Sequence, residues 1–78
     1  MLGYILYNKE DYKKNSSYVN WIKEIGKKRG LDIELRFSEE FYSDGMNTKN
    51  IDFVINRSRD YNISLVFELN NVRVFNNS

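Results

Sequence analysis

Apolar positions in this chain fall into short unbroken runs, one strictly alternating run and two stretches of helical spacing. Gly3 to Tyr7 (GYILY) is continuously apolar up to Asn8, the pattern of a strand buried on both faces in the middle of a parallel sheet. Asn8 to Asn15 (NKEDYKKN) is polar and reads as a loop at that strand's carboxyl end, longer than an ordinary strand-to-helix connection. Ser16 or Ser17 then caps a helix in which Tyr18, Val19, Ile22 and Ile25 recur at three- and four-residue steps. Lys27, Lys28 and Arg29 suit the negative end of its dipole, and Gly30 can take the left-handed position that closes it. Asp32 to Phe37 (DIELRF) alternates, with Ile33, Leu35 and Phe37 on one face and charges on the other. That is a half-exposed strand at a sheet edge.

The second half repeats the scheme. Ser38 to Phe41 allows one helical turn, and Tyr42 to Asn50 (YSDGMNTKN) is rich in turn formers. Asp52 to Asn56 (DFVIN) is a third strand, apolar in its middle and therefore central. After the turn Arg57-Ser58-Arg59-Asp60, a helix capped by Ser58 or Asp60 carries Ile63, Leu65, Val66, Phe67 and Leu69. Its apolar surface is broader than one stripe, which predicts cover on more than one side. Asn70 and Asn71 end it, and Val72 to Phe75 (VRVF) is a fourth strand.

Strand, helix, strand, irregular crossing, strand, helix, strand, with no Asn-Gly hairpin signal, predicts an α/β domain of three layers around a parallel four-stranded sheet. Right-handed crossovers and a peripheral second strand give the order 2-1-3-4. Ligands of such sheets bind at the carboxyl ends of the strands flanking the point where the order reverses, here between strands one and three. The polar groups expected there are Asn8 and Lys9, Arg57 to Asp60, and Asn76 to Ser78.

Composition narrows the chemistry. Seventy-eight residues make one small domain, and a formal net charge of +1 predicts neither an acidic nor a basic partner. With no cysteine and no histidine, a disulfide framework, a thiolate nucleophile, a zinc site of the usual kind and a histidine base cannot be built. Glu39, Glu40 and Asp44 are close in sequence but lie in a polar stretch that would not separate their pKa values, so they do not read as an acid/base pair. The basic stripe of a nucleic-acid module is missing, so Trp21 and the tyrosines read as packing or contact residues. No apolar run is long enough for a membrane span, and the expectation is a soluble, cytoplasmic domain.

The segments DFVINRSRD and NNVRVFNNS, separated by a helix containing FEL, resemble the N-terminal domain that precedes the nucleotide-binding part of ATP-grasp ligases. The type is that of the glutamate ligases of ribosomal proteins and the lysine- and arginine-biosynthesis ligases. The family pattern is an Asp opening a central strand, an Arg at or just past its end, a helix finishing in a Leu-Glu-x-x-Gly-like stretch, and a strand ending Val-x-Asn or Val-Phe-Asn-Ser. Asp52, Arg57, Glu68, Val74, Phe75, Asn76 and Ser78 carry it, and GYILYN looks like the family's first strand. Asn71 stands where the family usually has Gly, a replacement the left-handed backbone tolerates.

The resemblance implies a small Rossmann-like domain of the pre-ATP-grasp type, forming one wall of a cleft in which a carboxylate is phosphorylated by ATP and attacked by an amine. ATP and Mg²⁺ would belong to later domains of a longer enzyme, since no glycine-rich phosphate loop occurs in the sequence given. The partners implied are those remaining domains and the carboxylate or amine substrate, with neither nucleic acid nor membrane. The substrate-binding residues expected are Arg57, Arg59, Asn8, Ser58 and Asn76, with Arg57 or Arg59 as the anion anchor because a guanidinium grips a carboxylate or phosphate through two parallel hydrogen bonds. No catalytic residue and no metal ligand is assigned within the chain. Exposed apolar surface, normally met by the rest of the enzyme, would favour a homodimer. The competing expectation is a free-standing α/β interaction or regulatory module without chemistry.

Overall fold

A computed structural model describes residues 1–43, 45 and 48–76, the last by its backbone alone. Four strands, β1 (Leu2–Tyr7), β2 (Asp32–Phe37), β3 (Phe53–Asn56) and β4 (Arg73–Asn76), form one sheet in the order β2-β1-β3-β4. All three pairings are parallel, with Ile5 opposite Leu35 on one side and Ile55 on the other. The predicted three-layer α/β arrangement and strand order are therefore those of the structure.

Alternation along the strands divides the core. Ile5, Tyr7, Ile33 and Phe53 pack with Val19 beneath α1 (Lys9–Lys28), while Leu6 and Val54 join Ile63, Phe67 and Val72 under α3 (Tyr61–Leu69). Phe41, from the short α2 (Ser38–Ser43), stacks on Phe67 at 5.1 Å and closes the second layer. Gly3 is buried in β1, where the ring of Phe53 occupies the space a side chain would take. Gly30 closes α1 at φ 78°, as its position in the sequence predicts.

One element differs from expectation. Residues 9–15 are not a loop but the first two turns of α1, and the cap is Asn8 rather than Ser16 or Ser17. The Asn8 carboxamide accepts the Asp11 N–H at 2.7 Å and donates to the Asp11 carboxylate at 3.0 Å. The first is an N-cap bond, and the second ties the two side chains together. The extra turns are polar because Lys9, Glu10, Lys13 and Lys14 face solvent, while Tyr12 turns inward, edge-on to Phe37 at 5.3 Å. Asn8→Ala is expected to cost about 1 kcal/mol, the usual value of an N-cap, and to fray residues 9–12 first. Amide exchange at those positions, compared with 20–26 in the same helix, checks both the size and the place of the loss.

Candidate functional site

The order reversal between β1 and β3 places the ends of these two strands side by side, with α1 leaving one and the turn 57–60 leaving the other. A bound anion at this end of an α/β sheet is ordinarily met by helix N-termini, whose free N–H groups and dipole favour negative charge. Here both termini are filled from within the chain. Glu39, on α2, reaches across to the first N–H of α1, its two carboxylate oxygens lying 3.2 and 3.1 Å from the Lys9 nitrogen. The backbone N–H groups of Glu39 itself and of Lys9 hold its carboxyl below the ordinary glutamate value. The stabilisation this cap gives is thus present above the unfolded-state pKa and fades as pH falls through the lowered one. At α3, Asp60 is the N-cap, accepting the Asn62 N–H at 3.0 Å. Its other oxygen accepts the Tyr42 hydroxyl at 2.6 Å, and that bond raises the tyrosine pKa.

Arg57 is held differently. Its Nε–H donates to the buried Tyr7 hydroxyl at 2.8 Å, tying the residue after β3 to the last residue of β1. The guanidinium carbon sits 4.9 Å from the Tyr18 ring centre and 5.8 Å from that of Tyr7, an arginine placed against aromatic rings. Tyr18 in turn leans on Trp21, with ring centres 6.0 Å apart and Trp21 55% exposed. Among the described residues no carboxylate pairs with Arg57, so neither Asp52 nor Asp60 is its partner. Its side chain is half-buried, and its terminal nitrogens carry no hydrogen bond to any described group.

The other expected residues have different fates. Ser58 is buried; its hydroxyl donates to the Asn56 carboxamide at 2.6 Å and accepts the Asp60 N–H at 3.2 Å, so it shapes the turn. Asn8 spends its carboxamide on the α1 cap. Arg59 is exposed on a left-handed backbone at φ 67°, beside Arg57 in sequence but engaged with no described side chain. Asn76 ends β4 opposite Asn56, and its side chain, like Asn77, Ser78 and Asp44, lies outside the described residues. Sequence reasoning missed Tyr7, Tyr18 and Glu39, each brought to the site from far along the chain, and Asn56, whose bonds are local.

A second concavity, an open groove lined by Leu2, Lys23, Lys27, Leu31, Asp32, Ile33 and Glu34, lies at the amino ends of β1 and β2. Lys23 and Lys27 line it together with Asp32 and Glu34, and it sits at the end of the sheet opposite the carboxyl ends of the strands. No helix among the described residues is long and apolar enough to cross a membrane. Comparison with protein-family models, with curated proteins and with solved structures returns no match.

Proposed function

We propose that the chain is an anion-holding cleft domain of a carboxylate-amine ligase of the ATP-grasp type, with Arg57 as the residue that receives a substrate carboxylate or phosphate. The reading rests on one observation: a half-buried guanidinium at the order reversal, fixed through Nε on Tyr7 and through its face on Tyr18, with terminal nitrogens unpaired among the described residues. An arginine oriented by contacts that leave its outer edge open has already lost much of its rotamer freedom, so less is lost when a bidentate anion binds. Both neighbouring helix N-termini are occupied by Glu39 and Asp60, which leaves no ready cradle for a nucleotide triphosphate. In this reading ATP and Mg²⁺ are held by other domains, and this one orients an acceptor.

The test is a titration of the chain with succinate and with inorganic phosphate, following the Arg57 Nε–Hε resonance by NMR. Saturable perturbation of that resonance is expected, and Arg57→Gln should weaken binding about tenfold or more, the worth of a charge-assisted pair. Arg59→Gln, on the exposed neighbour, should change affinity far less. Unperturbed Arg57, or equal binding by the Arg57→Gln variant, overturns the assignment. Incubation with ATP and magnesium is expected to release no phosphate from this chain alone; release would mean that the chemistry resides here.

A further inference from the structure

The two edges of the sheet are built in opposite ways. The β2 edge bears Asp32, Glu34 and Arg36 on its open face, with Glu34 and Arg36 paired at 3.1 Å, and such charge discourages strand addition. The β4 edge is the short run Arg73–Asn76, with Phe75 47% exposed. Over it, α3 turns Tyr61, Leu65 and Leu69 outward at 67%, 54% and 82% exposure, at four-residue spacing. Glu68 is the one charged residue of that helix. The breadth of apolar surface noted in the sequence is therefore uncovered among the described residues.

We propose that this face is closed by a second copy of the chain, the two β4 strands pairing antiparallel about a two-fold axis through Val74. Three points favour a copy over an unrelated partner. Opposite residues in an antiparallel pair share a face, so an axis through Val74 sets Arg73 opposite Phe75 of the other copy and keeps the two arginines apart. The strand already shows that affinity, Arg73 lying 5.3 Å from its own Phe75 ring centre. Second, α3 covers Val72 and Val74 at the β4 side of the sheet, in one cluster with Val54 of β3 and Leu6 of β1. Continuing the sheet across the two-fold axis then puts both α3 helices on the same face of one sheet. Third, with a formal net charge of +1 the copies meet little long-range repulsion.

Sedimentation equilibrium from micromolar to millimolar chain should show a monomer–dimer equilibrium. Leu65→Glu, at an exposed position that the fold does not need, should raise the dissociation constant by about tenfold or more, while Trp21→Glu on the opposite layer should leave it unchanged. Amides of residues 73–76 should exchange more slowly as concentration rises. A chain monomeric throughout, a dimer indifferent to Leu65→Glu, or one that leaves the β4 amides unprotected would each overturn the proposal. The anion test on Arg57 is independent of this outcome.

Discussion

Phe67→Ala is expected to leave the chain barely stable at 25 °C, with up to about half of the molecules unfolded. Phe67 has no exposed surface, stacks on Phe41 at 5.1 Å and meets Tyr4 edge-on at 6.5 Å, within a cluster that includes Leu6, Val54 and Ile63. Truncating such a ring costs about 3 to 5 kcal/mol, from lost transfer energy and from a cavity that the sheet cannot collapse to fill. A domain of this size sits at the low end of the usual stability range, about 5 kcal/mol, so the loss takes most of what holds it. Urea unfolding followed by circular dichroism would show a curve with little or no folded baseline. Leu69→Ala, two residues along the same helix but 82% exposed, should shift the midpoint hardly at all. If the two variants unfolded alike, the division of α3 into a buried and an open side would be wrong.

That division marks the limit of what periodicity could reveal. The alternation of Asp32 to Phe37 was enough to put β2 at an edge, and the continuous runs at 3–7 and 52–56 put β1 and β3 at the centre, because burial on one or two faces writes itself directly into the pattern. The breadth of α3 was equally visible, but a sequence does not say whether a second apolar side is met within the chain or by something else. At the amino end of α1 the error ran the other way. NKEDYKKN is polar because Lys9, Glu10, Lys13 and Lys14 face solvent, yet Tyr12, Asn15, Val19, Ile22 and Gly26 continue one helical face, and the Asn8–Asp11 pair was a readable cap.

Of the site, the sequence offered Arg57 and its neighbourhood but not the supports that orient it. Tyr7 is fifty residues away and Tyr18 nearly forty, and only the pairing of β1 with β3 and the path of α1 bring them together. Glu39 looked like a solvated carboxylate of no consequence. It is indeed exposed, and its importance lies in a bond to a backbone N–H thirty residues earlier, a kind of contact that leaves no local signature. Its lowered pKa agrees with a capping role and not with a proton-donating one.

Asn56→Ala is the substitution expected to couple stability to the site. Asn56 ends β3 with its side chain buried toward α3, and every hydrogen-bonding position it has is used. Its Nδ2 donates to the Ser64 hydroxyl at 2.7 Å and to the Asp60 carbonyl at 3.0 Å; its Oδ1 accepts the Ser58 N–H at 3.0 Å and the Ser58 hydroxyl at 2.6 Å. Because the Ser58 N–H can only donate, the orientation of the carboxamide is fixed. Alanine would leave these partners without their bonds in a region closed to water, a loss of about 2 to 4 kcal/mol, less than the sum of the separate bonds because they share one residue. The same network holds the turn that carries Arg59 at φ 67°, a conformation costing a side chain about 1 kcal/mol or more, and that starts with Arg57. Loss of the carboxamide should therefore release the turn first. In the folded fraction the Arg57 Nε resonance should lose its dependence on added anion, although Tyr7 and Tyr18 remain in place. Asn56→Asp should fall between wild type and alanine, since it keeps the two accepted bonds to Ser58 but faces the Asp60 carbonyl with an oxygen. A stability change under about 0.5 kcal/mol for Asn56→Ala, the range of an inconsequential surface substitution, would show that the turn stands without its buried amide and that Arg57 is oriented by the tyrosines alone.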